Sequence, residues 1–321
     1  MPDSNELFLA DPKAFAKKWS LFPTVDWNSF SLDQSHIKQL ALRRGGEVLQ
    51  MQGTNKVRYC NIRRPANLTV PGDFMDDYGP DLNLYVMQIT DAPAIASAFP
   101  VYYLHWGPDA TGRMALKPSP KHPKRDGKNR VIDPDVFVTA AVQGCSIFVD
   151  GPVTAPVVYH INATSVGGEV FNAASDAAAR QSAQAKVGHM RTVHERAQRQ
   201  HPKHRYVRHG PRHASAEANM TQYMGDFVTP TGRAGITARH DERAWYNLWG
   251  LLGGGHTTTI QGGTVFGIRR HGEWAFYRQT RTRITYDVLE PGEAPYAPPV
   301  VRRESKWVAT NCVQFWPVYR G

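Results

Sequence analysis

Three short apolar, β-prone runs lie close together at residues 136–142, 146–149 and 157–161, and they constrain the fold more than any other part of the chain. Gln143-Gly144-Cys145 separates the first two runs. A turn opening on Asp150-Gly151-Pro152 separates the second from the third. Runs this short, bounded by breakers, are too brief for helices and read as strands. Gly144 lets the backbone turn sharply just before Cys145. The block therefore predicts strand, tight turn, strand, loop, strand.

Either side of it the signals divide. The first 45 residues read as helical. Asp11 is placed to cap a helix through PKAFAKKW with proline at its first position, and a second helix fits SLDQSHIKQLALRR at 31–44, stopped by Gly45-Gly46. Residues 48–80 carry only weak signals. Strands are predicted at 82–89 and 101–106, separated by an alanine-rich turn of helix. A long exposed loop is predicted over the Pro-, Lys- and Gly-rich stretch 107–133. Residues 173–200 have helical composition. The last hundred residues return to β character, with a hairpin turning at His271-Gly272 and further strands at 306–309 and 312–315. There is no internal repeat. Because the strands come in groups, the pattern predicts an α+β fold rather than a doubly wound one. Residues 1–79 read as an N-terminal helical and irregular segment. Residues 80–321 read as a β-rich domain with a basic helical insertion at about 172–215.

Composition closes off several classes. With 41% apolar residues and eight tryptophans among 321, the chain can build a sizeable core, and 21% charged residues argue against general disorder. No run approaches the roughly 18–20 apolar residues of a membrane helix, and the N-terminus lacks the pattern of a secretory signal. Three scattered cysteines, with no CxxC spacing, fit neither a disulfide framework nor a cysteine-rich zinc site. The net charge of +10 is concentrated: nine Lys/Arg against one acid at 180–213, and six against one at 117–130, leave the remainder slightly acidic.

Cys145 and His160 are the best-supported chemical pair. A thiol acts as thiolate, and an adjacent imidazole is the usual way to form one near neutral pH. His160 follows Cys145 by fifteen residues, and if the 146–149 and 157–161 strands pair antiparallel the two side chains can meet at one end. The backbone N–H groups of Gly144 and Cys145 would then face a developing oxyanion. The alternative is that Cys145 is a small buried hydrophobe and His160 a structural residue.

The segment TAAVQGCSIFV…VVYHINA, at 139–163, resembles the catalytic core of the glutamine deamidases related to cytotoxic necrotizing factor, Burkholderia lethal factor and the chemoreceptor deamidase. Together with the strand pattern, this leads to the expectation of a β-sandwich-like catalytic core from about residue 80 onward, with no cofactor and no metal. The resemblance implies Cys145 as nucleophile, His160 as base, and Thr139, six residues before the cysteine, as the group orienting the imidazole. The family's Leu-Ser-Gly-Cys wording is here Val142-Gln143-Gly144-Cys145. The implied activity is deamidation of glutamine in a protein substrate, with transglutamination if an amine replaces water. The implied setting is a bacterial effector or toxin, secreted without a classical signal peptide and acting in a target cell's cytosol.

Other features are weaker. His201, His204, His209 and His213 lie in a stretch broken by Pro202 and Pro211, with no acidic or thiol partner, so a solvated basic arm is preferred to a metal site. That arm and the 117–130 stretch can attract an acidic or phosphate-rich partner, but aromatic residues are sparse there. The glycine run at 250–259 lacks a GK[ST] ending; its His256 is a reserve partner for Cys145. Two further readings stand beside deamidation: a Cys–His protease or acyltransferase, and a non-enzymatic binder of nucleic acid or anionic membrane.

Overall fold

The computed structural model describes residues 3–25, 49–52, 57–64, 84–105, 110–118, 133–142, 144–163, 176–199, 213–219, 258–290 and 300–317. Two short helices open the chain. In α1 (Ser4–Ala10), the Asp3 carboxylate accepts from the Glu6 N–H while the Glu6 carboxylate accepts from the Asp3 N–H, closing a reciprocal cap. In α2 (Pro12–Lys18), Asp11 caps through the Ala14 N–H, Pro12 takes the first position, and Lys17 and Lys18 sit at the negative end of the helix dipole. Seven residues do not hold a helix in water. These two are held by Phe8 and Phe15, whose rings pack on each other and on Phe99, Phe266 and Tyr85.

The helical reading of the first 45 residues ends at Ser20, where β1 (Ser20–Val25) begins. The helix expected at 31–44 lies outside the described residues. The weakly marked stretch that follows yields β2 (Leu49–Gln52) and β3 (Val57–Arg63). The strands expected next are β4 (Leu84–Thr90) and β5 (Phe99–Leu104), but the link between them is irregular, with a single turn closed by the Ala98 N–H on the Ile95 carbonyl. The exposed-loop reading of 107–133 is overturned in its first part, because β6 (Ala110–Ala115) lies there and Met114 and Leu116 are buried. Its place is set by ladder bonds to neighbours on both sides, which local composition does not reveal. Residues 119–132 lie outside the described set.

The central block forms β7 (Val136–Thr139), β8 (Ser146–Gly151) and β9 (Val157–Ile161). Then come α3 (Asp176–Arg199), β10 (His213–Asn219), β11 (Thr258–Arg270), β12 (Glu273–Glu290) and β13 (Val300–Trp316). The His271-Gly272 turn stands where expected, with both residues at positive φ (52° and 82°), which matches the twist of a two-residue hairpin. The two final strands expected at 306–309 and 312–315 are one strand. Thr310 is absorbed as a bulge opposite Thr280 and Arg281, so pairing with β12 continues past it.

The protein is thus mixed α+β and mostly sheet, with three helices among the described residues. The larger sheet has the order β1-β4-β3-β5-β7-β11-β12-β13, the smaller β10-β8-β9-β6-β2. Strands β7 and β8, adjacent in sequence, belong to different sheets, so residues 140–145 form a crossover. Helices α1 and α2 cover a first core on the larger sheet, with Phe8, Phe15, Met87, Val101, Val138 and Phe266. Side chains of both sheets meet in a second core, Tyr102, Leu104, Phe137 and Phe276 against Met114, Ile147, Val149 and Val158. Helix α3 sets Val187, Met190 and Ala197 on Phe148, Tyr159 and Ile161. Its His194 ring stacks on Phe148 at 4.2 Å, and Arg191 bonds Glu217 of β10.

The larger sheet curls until β1 meets β11–β13, and buried side chains close the gap. The Gln279 amide accepts from the Leu21 N–H at 2.8 Å and donates to the Ala16 and Trp19 carbonyls. Arg281 donates to the Leu21 carbonyl and the Thr264 hydroxyl, both at 2.7 Å, with its guanidinium over the Phe22 ring. Removing the Gln279 amide leaves one N–H and two carbonyls without this partner. Gln279→Leu is therefore expected to cost about 3 kcal/mol, read as a lower urea midpoint with an unchanged slope.

Candidate active site

Every residue of β8 and β9 is buried, so their pairing is specified on both faces. The register is Ser146↔Ile161, Ile147↔His160, Phe148↔Tyr159 and Val149↔Val158. On one face Phe148, Tyr159, Ile161 and Ala163 pack toward α3. On the other Cys145, Ile147, Val149 and Val158 enter the core shared by the two sheets. His160, opposite Ile147 and two residues from Val158, shares that inner face.

Cys145 is the first residue of the crossover to reach the inner face of the smaller sheet. The crossover is anchored by reciprocal 2.8 Å backbone bonds between Val142 and Gly263, and Gly144 at φ 75° turns it into β8. Gly144 and Cys145, whose N–H groups were expected to face an oxyanion, both belong to this turn. Carrying the register one residue past Ser146 brings Cys145 and His160 to one face as diagonal neighbours, two residues along the partner strand from directly opposite. Such neighbours are about 7–8 Å apart at the backbone and closer at the side chains.

β6 lies on the far side of β9, and there Gly112 opposes His160. A Cβ on Gly112 would stand 3.1 Å from Leu104 Cδ1 and 3.2 Å from the His105 carbonyl. The end of β5 thus passes close over β6 beside the His160 ring. The Leu104 carbonyl accepts from the Ala140 N–H at 3.0 Å.

His160 is 1% exposed, and neither ring nitrogen has a hydrogen-bond partner among the described residues. Burial is the main reason its pKa falls to about 3, and nearby His105 pushes the same way. The Leu104 carbonyl opposes the shift without reaching regular hydrogen-bond geometry. His105 falls to about 4, again through burial first and the Arg58 charge second. The His160 ring is therefore neutral at neutral pH, the form that can take a thiol proton. Burial this deep disfavours the protonated ring unless an anion such as a thiolate stands close to it.

Thr139, expected to orient the imidazole, lies on the larger sheet and is fully buried. Its hydroxyl donates to the Ala140 carbonyl at 2.8 Å, with a longer contact to the Val265 carbonyl at 3.4 Å. It makes no hydrogen bond to His160, because its single proton is directed to its own backbone. The nearer polar group is the Leu104 carbonyl, which a side-chain reading of the sequence had no means of finding. Asn162 was also missed, although the alternation in YHINA, which puts His160 and Asn162 on one face, could have shown it.

The other thiols lie elsewhere. Burial raises the pKa of Cys60 and lifts that of Cys312 to about 12, and both pack in the core beneath α1 and α2. His201, His204, His209 and His256 lie outside the described residues, whereas His213 starts β10 opposite Gly151. Cys145 itself is 3% exposed, so the pair is closed to solvent in this conformation. Residues 106–109, Gln143 and 164–175, which adjoin the site in sequence, lie outside the described set.

The depressed pKa of His160 has a stability consequence. The unfolded ring takes a proton near 6.5 and the folded ring only near 3, so the unfolded state binds more protons between those values. Stability is complete above pH 6.5 and is lost as pH falls toward 3. Urea unfolding at a series of pH values should show this decline, and His160→Gln should flatten it by up to about 1.4 kcal/mol per pH unit.

No protein-family model matches the chain, and no curated protein matches it either.

Proposed function

We propose that the protein is a thiol hydrolase that deamidates glutamine side chains of a protein substrate, with Cys145 as nucleophile and His160 as base. The observation that carries this reading is the β8–β9 register, which sets Cys145 and a neutral, buried His160 on one face at a backbone crossover. In this reading the two sheets and their shared core act as a β-sandwich that limits the freedom of both groups. The site requires no metal or cofactor, and the basic stretches at 117–130 and 180–213 favour approach to an acidic or phosphate-rich partner. The setting that accompanies the reading is that of an effector acting in the cytosol of a target cell.

The chemistry balances in two halves. The Cys145 thiol proton passes to His160, and Sγ bonds to the carboxamide carbon of the glutamine. The resulting oxyanion collapses, the C–N bond breaks, and the nitrogen leaves as ammonia after taking the proton from His160. Water, deprotonated by His160, then attacks the thioester carbon. The C–S bond breaks to give glutamate and a regenerated thiol. Since the pair is closed here, substrate entry requires displacement of whatever covers Cys145.

Incubation with a substrate protein should add about one mass unit per modified glutamine, detected on intact protein and on peptides. Cys145→Ser and His160→Ala should each lower the rate at least about a hundredfold. A fully active Cys145→Ser enzyme would falsify the assignment. Release of a peptide in place of the mass gain would assign the pair to proteolysis.

A further inference from the structure

We propose that Asn162 is the residue that recognises the substrate's carboxamide, its Oδ1 accepting a hydrogen bond from the substrate NH₂ group. This inference rests on the thiol reading of Cys145 and His160. It begins from the register. The pairing of Ser146 with Ile161, carried one residue further, sets Asn162 directly opposite Cys145. Alternation persists past the end of β9, because Ala163 still packs with Ile161 and Tyr159 on the α3 side. Asn162 therefore shares the inner face with His160 and stands nearer Cys145 than His160 does, at the spacing of a directly opposed pair, about 4.5–5.5 Å between Cβ atoms.

Its chemistry is out of keeping with its surroundings. Asn162 is 4% exposed, and its Oδ1 has no hydrogen-bond partner among the described residues. The adjoining inner-face residues are Ile147, Val149 and Val158, with Leu104 across the core. Burying an amide acceptor without a donor is unfavourable, so such a group requires an explanation. Both nitrogens of His160, one step away, are in the same condition. The Asn162 oxygen, on the His160 face beside a thiol, calls for a ligand that carries an N–H donor.

A primary carboxamide meets that requirement, since it presents two N–H donors and one acceptor oxygen. With its carbonyl carbon at the Cys145 sulfur, its NH₂ group can reach Asn162 Oδ1. The bond holds the departing nitrogen on the side of the strand that carries His160. Asn162 forms and breaks no covalent bond in the process. An ester lacks the N–H, and a carboxylate sets oxygen against oxygen, so the arrangement selects amides over both.

The test uses the full chain and two neutral electrophiles with the same leaving group, iodoacetamide and methyl iodoacetate. Labelling of the Cys145 peptide is followed by mass spectrometry. Intrinsic reactivity cancels when the amide-to-ester rate ratio of a variant is divided by that of the parent protein. Asn162→Leu should lower the ratio about tenfold, with the ester rate nearly unchanged. Asn162→Asp, which retains an acceptor, should preserve the ratio. His160→Ala should slow both reagents alike. Asn162→Ala gives the same reading if the leucine variant does not fold cooperatively. An unchanged ratio in the folded leucine or alanine variant overturns the role of Asn162 alone. Absence of Cys145 labelling by either reagent in the folded parent overturns the thiol reading itself.

Discussion

The β8–β9 ribbon is buried on both faces, and the rest of the site depends on that constraint. One face supplies Phe148, Tyr159 and Ile161 to the helix α3, and the other supplies Ile147, Val149 and Val158 to the core between the sheets. A slip by one residue would exchange these sets and carry His160 to the helix side. The apolar side chains therefore hold the register, and the register places Cys145, His160 and Asn162 together. The polar residues contribute nothing favourable to that choice. Buried without regular hydrogen bonds, His160 and the Asn162 oxygen oppose folding.

Buried polar atoms without a hydrogen-bond partner among the described residues also occur away from Cys145, at Ser20 Oγ and Trp274 Nε1 for example. Other buried polar side chains are engaged: Asn5 accepts from the Ile62 N–H, Arg58 pairs with Asp91, and Gln279 serves three backbone groups. At the far edge of the larger sheet, Gln279 and Arg281 do for β1 what ladder bonds do elsewhere. They draw the curled sheet together and complete the core under α1 and α2. Beside Cys145 two such side chains, His160 and Asn162, fall on one face of the same strand end, and functional sites are an expected place for local conflict of this kind.

Much of the local structure was legible. Asp11 and Pro12 mark a helix start through chemistry contained within a few residues. His271-Gly272 marks a hairpin because both positions need positive φ, and Val157–Ile161 is a strand by composition alone. The failures have a common cause. β1 follows a capped helix with little local β signal, and β6 sits within a stretch of loop-like composition. Both are strands because neighbours far away in the chain offer a free edge, Leu84–Thr90 to the first and Val157–Ile161 to the second. Thr139 illustrates the same limit within the site: its spacing from Cys145 was visible, but the direction of its proton was not.

By itself, then, the sequence determined a β-rich α+β chain, the strands flanking Gly144-Cys145, and a cysteine and histidine able to share a face. These follow from short apolar β-prone runs, the breakers that bound them and turn chemistry, which act over a few residues. Tertiary structure decided that β7 and β8 lie in different sheets and that β8 pairs with β9 in the register that sets Ile147 opposite His160. It also decided that the end of β5, with the Leu104 side chain and the His105 carbonyl against Gly112, brings the Leu104 carbonyl to bear on the imidazole. Those outcomes depend on which distant segments pair and how closely two sheets approach, quantities settled by collective packing of the whole core.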